Sequence, residues 1–388
     1  MTQRINLLFV SSYIDLGGGE TALLNLVDHL DPARYHPHLL VRAEGQLAAA
    51  WRQRGWPVDV IPWRGATTYF IPALWSRLPI SRRTQSLIRQ RDIHLVHSDY
   101  HTLPMALPAA ERAGVPALWW CWGWWFHPKP WQRAFFRRPA ATIALSKAIK
   151  SGFLGEPPFM SPAAVELIYS GVDTTRFRPG LDGSSVRQDA GLEPDAPLVA
   201  LLARFQDVKG HDVFQDMARH IAREIPAARF IVAGENTQTT ADNTYKSRIL
   251  AAAVADPLLQ SRLHYLGFRA DTERVIAAAD VVVCSSHFES YGMVNIEAMA
   301  SAKPVVSTNR GGPSETIIHG ETGFLVPPGD APALARHVIQ LLHDPSLRQR
   351  IGAAGRARVE AQFSVHAMAA HYTRIVEQVL WHNNTTRS

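Results

Sequence analysis

Short apolar runs rich in valine, isoleucine and leucine alternate with helical stretches along this chain, in two successive series. The clearest run is 279–284, Ala-Asp-Val-Val-Val-Cys, whose β-branched character suits a strand buried on both faces of a parallel sheet. The first series predicts strands at 5–10, 37–41, 58–61, 94–97, 117–120 and 141–145. Its first four strands alternate with helical stretches such as 20–30, 47–54 and the arginine-rich 81–91. The second series predicts strands at 198–202, 228–232, 263–266, 281–284, 304–307 and 323–326. Alternation of this kind specifies an α/β chain of two Rossmann-like, doubly wound domains. A length of 388 residues gives each domain enough chain for its own core. The stretch 173–197, rich in Pro, Gly, Asp and Ser, is the expected linker. Helices are predicted last at 331–343, 346–362 and 365–381, before a polar tail expected to fray.

Composition narrows the function classes. Two cysteines, Cys121 and Cys284, are too few for a disulfide framework and point to a reducing compartment. The apolar run at 5–10 reads as a first strand rather than a leader, and no stretch approaches the length of a spanning helix. A cytoplasmic protein is expected. The formal charge of +6 is uneven: residues 1–180 hold 20 Lys/Arg against 12 Asp/Glu, the rest 20 against 22. A basic first half suits an anionic partner, such as a phosphorylated or lipid-linked acceptor, or peripheral contact with the inner membrane face. An ordinary solvated basic surface fits the same numbers. Nucleic acid is not expected, because the basic residues are not interleaved with aromatics in a recognisable module.

The segment Glu289-Ser-Tyr-Gly-Met-Val-Asn-Ile-Glu297 carries the most chemistry. It follows the strand at 281–284 and turns through Gly292 into a helix, whose first N–H groups (Gly292, Met293, Val294, Asn295) and dipole favour phosphate oxygens. Glu289 precedes the turn and can reach groups beyond the phosphates. Glu297 shares a helix face with Met293 and can reach back along a nucleotide. Carboxylates are poor phosphate ligands but good acceptors for hydroxyl pairs. One acid on each side of a diphosphate cradle therefore suggests a nucleotide-sugar. In Ala203-Arg-Phe-Gln-Asp-Val-Lys209-Gly210, Arg204 and Lys209 follow a strand and can converge on one pyrophosphate, a fork and a point charge. Asp15-Leu-Gly-Gly-Gly-Glu20 lies between the first strand and the first helix, where glycines allow close backbone approach. A Rossmann dinucleotide loop fits less well. Gly17 comes seven residues after the strand, and the second strand ends without the ribose-binding acid.

Together these segments resemble retaining, nucleotide-sugar-dependent glycosyltransferases of the GT-B fold, specifically glycosyltransferase family 4, over nearly the whole chain. The 289–297 segment matches that family's E-x-x-G-x-x-x-x-E motif, and 204–210 its R-x-x-x-x-K-G. The stretches Ser170-Gly-Val-Asp173, Asn309-Arg-Gly-Gly-Pro-Ser-Glu315 and 320–330 match further turns. The resemblance implies two Rossmann-like domains facing a central cleft. The divisions would be an acceptor-binding domain at 1–175, a donor-binding domain at 176–364 and a helix at 365–388 crossing back to the first domain. It implies that Glu289 contacts the donor sugar and Glu297 the ribose, and that Gly18 and Gly19 close over the donor phosphate. Phe268, after the strand at 263–266, would lie near the nucleobase. Transfer would retain configuration, with a UDP- or GDP-linked sugar as co-substrate and no further cofactor. The chain contains no Asp-x-Asp, so a bridging metal is not implied.

The first domain departs from the family pattern. A histidine usual at the end of the strand at 117–120 is replaced by Trp122, within Trp119-Trp-Cys-Trp-Gly-Trp-Trp-Phe-His127. His127 could swing in from the loop as a catalytic group. His97 and His101 end the preceding strand and, with Trp122, Trp124 and Trp125, are candidates for binding a sugar, lipid-linked or aromatic acceptor. Consecutive tryptophans are not expected all to point inward from one strand, so stacking, a membrane interface and core packing all remain open. The alternative activity is a sugar-nucleotide epimerase of GT-B architecture, expected to carry further acids and histidines in place of the Arg204/Lys209 and Glu289/Glu297 combination. A non-catalytic carbohydrate-binding protein would need no pyrophosphate cradle.

Overall fold

The computed structural model describes residues 4–63, 79–121, 127–236 and 244–385. Trp122, Trp124 and Trp125 lie outside the described residues. The chain forms two units, Met1–Gly171 with Val365–Ser388, and Val172–Ser364.

The first unit is built on a seven-stranded parallel sheet. Its strands are β1 Ile5–Ser11, β2 Tyr35–Val41, β3 Val58–Val60, β4 Leu95–Ser98, β5 Ala117–Cys121, β6 Ala141–Ala144 and β7 Val165–Leu167, in the order β3-β2-β1-β4-β5-β6-β7. The second sheet has β8 Leu198–Leu202, β9 Arg229–Ala233, β10 Leu263–Gly267, β11 Val281–Cys284, β12 Val305–Thr308 and β13 Phe324–Val326, in the order β10-β9-β8-β11-β12-β13. All these strands pair in parallel, so each unit is doubly wound as the alternating pattern requires. Only β7 has no counterpart in the sequence reading. Three residues at a sheet edge are too short to show a period.

The linker expected at 173–197 is part of the second unit instead. It contains a helix, Ser184–Asp189, whose Arg187 donates to the carbonyls of Ala278 and Ala196 and reaches the Asp280 carboxylate at 3.4 Å. Farther on, one guanidinium gathers the carbonyls of Thr174, Phe177 and Ala300, that of Arg356 on the helix Pro345–Gln362. Loop composition signals the irregular backbone, not whether side chains from elsewhere hold it down.

The final helix, Val365–Thr385, belongs to the first unit. Its Met368, Tyr372, Ile375 and Val376 are buried in one cluster with Phe9, Leu39, Trp51 and Trp120. Adjacent residues on a strand point to opposite faces. Accordingly Trp119 packs on Phe136 and Phe153, with ring centroids 4.9 and 4.8 Å away, while Trp120 stacks on Tyr372 at 5.7 Å. Both tryptophans are fully buried. A single strand can thus turn consecutive tryptophans inward, because β5 is an interior strand covered on both faces. Each should therefore act as core. Trp120→Ala is expected to cost about 3–5 kcal/mol, measured as a shift in the urea unfolding transition. A loss below about 1 kcal/mol would mean that the face it fills is not packed.

Candidate active site

In open parallel sheets ligands bind at the carboxyl ends of the strands where strand order reverses, since the loops leaving the two strands there diverge and open a crevice. In the second unit the reversal lies between β8 and β11. Arg204 and Lys209 follow β8; Glu289 and Gly292 follow β11. Two motifs some 80 residues apart in the chain are neighbours because their strands are.

Lys209 Nζ lies 2.6 Å from Glu289 Oε2. Most of both side chains is buried, with 19% and 15% exposed. Ser286 Oγ stands 3.4 Å from the same carboxylate oxygen. Three strand ends fix this arrangement. His287 N–H donates to the Val208 carbonyl, and Ser285 Oγ to that of Gly210. Thr308 Oγ1 holds the Ser286 carbonyl at 2.6 Å. Glu289 itself is pinned on both sides: its N–H donates to Arg310 O and its carbonyl accepts from Gly312 N–H. Gly311 must be glycine. Its φ is +89°, and a Cβ there would sit 2.0 Å from the Glu289 carbonyl oxygen.

Gly292, with φ +87°, starts the helix Met293–Ala300. The N–H groups of Met293 and Val294 have no acceptor among the described residues, leaving two donors at the positive end of the helix. Asn295 is buried beneath the turn. Its amide donates to Ser307 Oγ at 3.2 Å, and its Oδ1 has no partner among the described residues. Glu297, one turn along, is half-buried. Desolvation raises its carboxyl from 4.5 to about 7, opposed by the charge of Arg176 and assisted by Glu273. Arg204 is exposed and its side chain bonds to nothing among the described residues. Phe268 follows Gly267 and is 75% exposed, an aromatic face left to solvent.

The candidate residues of the first unit are less uniform. Gly18 is exposed, and a Cβ added to it would meet nothing within 4 Å, so the empty fold does not itself demand glycine there. Gly19 lies in the same first turn of the helix Gly18–Asp28, which Glu20 caps by accepting from the Gly17 N–H. His101 Nε2 meets the Tyr13 hydroxyl at 2.9 Å. His97 corrects its expected exposure. It is buried among Phe9, Trp120 and Tyr372, its Nδ1 3.2 Å from the Tyr372 hydroxyl, and burial lowers its pKa to about 3. A strand-end histidine faces a ligand only if its side of the sheet is uncovered, and the final helix covers this one. His127 is tethered rather than free to swing. Its Nδ1 bonds the Phe153 carbonyl at 3.1 Å and its Nε2 lies 3.0 Å from an Arg133 N–H, so Nδ1 donates and Nε2 accepts.

Sequence reading missed Ser286, Gly311 and Tyr13. A serine or tyrosine in a loop carries no local signal; Gly311 sits in a quoted segment but was read only as a turn.

The sequence profile of the group 1 glycosyl transferases matches residues 184–358, and that of glycosyltransferase family 4 matches residues 16–176. The chain is 31% identical over 212 residues to EpsD, a putative glycosyltransferase of Bacillus subtilis, covering 53% of this chain and 54% of that protein. It is 32% identical over 243 residues to a GDP-mannose-dependent phosphatidylinositol monomannoside mannosyltransferase of Corynebacterium glutamicum, covering 60% of this chain and 59% of that one. The chain thus spans about half the length of curated relatives such as these. Among solved structures, Anabaena HepE in complex with UDP and glucose superposes with a TM-score of 0.79 at 23% identity, covering 96% of this chain and 100% of that one. Likeness at that identity shows the shared GT-B fold.

Glu297 has a pH signature. A carboxyl whose pKa is higher folded than unfolded favours the native state fully below 4.5, and this contribution is lost as pH rises to about 7. Between about pH 5 and pH 8, Glu297→Gln should therefore gain up to about 3 kcal/mol on the wild type. Unfolding transitions of both proteins at the two pH values measure it; parallel pH profiles would show that Glu297 titrates normally.

Proposed function

The chain belongs to the group 1 glycosyl transferases of glycosyltransferase family 4, and from that premise we propose that it transfers a sugar, with retention, from a UDP- or GDP-linked donor to an acceptor hydroxyl. The observation that carries this reading is the Lys209–Glu289 pair at the β8/β11 reversal. An ammonium has three donors, and one is spent on Glu289. The other two are available to a diphosphate. The carboxylate's Oε1 has no partner among the described residues and is available to a sugar hydroxyl. One ion pair thereby divides a nucleotide-sugar into its anionic part and its polyol part.

The charge on the departing diphosphate would be met by Lys209, by Arg204 and by the open N–H groups of Met293 and Val294. Preorganised donors of this kind are worth about 3–4 kcal/mol each in a transition state. They require no metal bridge, and we propose metal-independent transfer. Glu297, poised near neutrality, would take the ribose hydroxyl pair as donor and acceptor at once. The Gly292 turn and Asn295 would set the helix start against the phosphates, and Phe268 would lie against the base. The donor is thus assigned to the second unit and the acceptor to the basic first unit, whose charge suits a phosphorylated or lipid-linked acceptor or peripheral membrane contact. His127 is given no catalytic part, since both ring nitrogens are already bonded.

Donor-hydrolysis assays with UDP- and GDP-sugars test the activity: slow hydrolysis supports a transferase, whereas an isomerised donor means an epimerase and no turnover means a binding protein. Glu289→Gln should abolish transfer while UDP or GDP still binds by calorimetry, whereas Glu297→Ala should weaken the nucleotide itself. Equal losses of nucleotide affinity would show the two roles wrongly divided. Lys209→Ala should lower turnover by about 10²-fold or more, and wild-type activity should survive excess EDTA. Full loss on chelation, restored by Mg²⁺ or Mn²⁺, would refute the metal-free mechanism.

A further inference from the structure

Arg204 and Lys209 ride on one loop, which leaves β8 and enters the helix His211–Glu224. Two cations on the same loop repel, and a bare loop would let them part. Its backbone bonds are local: the Gln206 N–H donates to the Arg204 carbonyl at 2.9 Å, and the Lys209 N–H to that of Gln206 at 2.9 Å. None of these joins the two ends of the loop. A pair of rings does. Phe205, next to Arg204, and His211, just beyond Lys209, stack with centroids 4.5 Å apart and planes 14° from parallel. They are 5% and 1% exposed.

Each ring is anchored from elsewhere in the second unit. The His211 N–H donates to the Tyr245 hydroxyl at 3.2 Å, and the Tyr245 ring stands edge-on to the imidazole at 5.8 Å. Phe205 lies 6.0 Å from the ring of Tyr265 on β10 and has the Lys246 ammonium 5.4 Å from its centroid. Gln215, one turn along from His211, ties these anchors together: its Nε2 donates to the Tyr265 hydroxyl at 2.8 Å and to the Ile249 carbonyl at 2.7 Å. The imidazole is held by its faces, since its nitrogens make no hydrogen bond of ordinary geometry among the described residues. Burial lowers its pKa to about 4, opposed by the nearby Ala203 carbonyl, so the ring stays neutral at physiological pH. A neutral ring adds no further cation beside Lys209.

We propose that Phe205 and His211 are positioning residues, whose stack closes the loop and holds Arg204 and Lys209 at the separation at which both engage one diphosphate. The proposal rests on the reading of those two cations as the diphosphate cradle. Buried as they are, the rings act through Arg204 and Lys209, whose geometry is thereby set before a ligand arrives.

Calorimetry on the full chain with UDP against UMP, and GDP against GMP, tests this. His211→Ala should weaken the diphosphates by about 10-fold or more and the monophosphates by less than about 3-fold. His211→Phe keeps a stacking ring without the nitrogens and should bind all of them like the wild type. A ring that merely fills the core would lower monophosphate and diphosphate affinity alike, or neither. Either result overturns the proposal, as does a His211→Phe protein that binds no better than His211→Ala. Phe205→Leu keeps apolar volume but loses the ring face, and it repeats the comparison if His211→Ala fails to fold. A second measurement needs no nucleotide. After reductive methylation with isotope-labelled formaldehyde, the NMR signal of Lys209 is assigned by its absence in Lys209→Arg. It should move toward the signals of exposed lysines in His211→Ala or Phe205→Leu and stay in place in His211→Phe. An unmoved Lys209 signal in the first two variants overturns the proposal. A wild type that binds no nucleoside diphosphate, with Lys209 displaced in those variants, would sink the donor reading and leave the clamp standing.

Discussion

A parallel sheet must be covered on both faces, and the rest of this protein follows from that. Strands joined by right-handed crossovers can cover both faces only if the chain starts near the middle, winds outward one way, returns and winds the other. Each unit does so once, giving reversals at β1/β4 and β8/β11. At a reversal the departing loops separate, and the polar groups they carry meet across a gap that no helix fills. Double coverage also explains the core, where Trp119 and Trp120 are both buried on opposite faces of one strand.

The crevice of the second unit manages charge by pairing it in advance. Lys209 and Glu289 are largely desolvated, and either alone would be an uncompensated charge, a condition that costs about 3–5 kcal/mol when a buried pair is broken. Held against each other they persist in the empty protein with donor and acceptor capacity unspent. Glu297 has no such close partner and answers desolvation differently, by moving toward neutrality. Of two carboxylates eight residues apart, Glu289 has an ammonium at 2.6 Å, whereas Glu297 has none among the described residues and is held above the ordinary carboxylate value by desolvation. The backbone supports this with glycines placed where nothing larger fits, such as Gly210, whose added Cβ would lie 2.2 Å from the Ser285 carbonyl oxygen.

Legibility tracked the range of the forces involved. Strands such as β8 and β11 announce themselves because burial on both faces requires unbroken apolar runs, and a run is a local property. The turn into Met293–Ala300 was visible for the same reason: a glycine with positive φ and the helix that follows are neighbours in the chain. The edge strand β7 and the clamping of 173–197 by Arg187 and Arg356 were not, since one is three residues long and the other depends on partners up to 182 residues away.

Histidines show the division most clearly. His97 and His101 are four residues apart and read alike in the sequence. One is enclosed by Tyr372 from the far end of the chain, and the other sits on the open rim beside Tyr13. The amino-acid sequence by itself determined the two doubly wound sheets, the Arg204–Lys209 and Glu289–Glu297 segments and the helix that begins at Gly292, all set by short-range pattern and backbone stereochemistry. Tertiary structure alone decided which side chains stay accessible, that Lys209 neutralises Glu289, that Glu297 rises toward neutrality and that His97 belongs to the core. Burial and electrostatic pairing depend on what the fold brings alongside a residue, and no local window of sequence contains that neighbour.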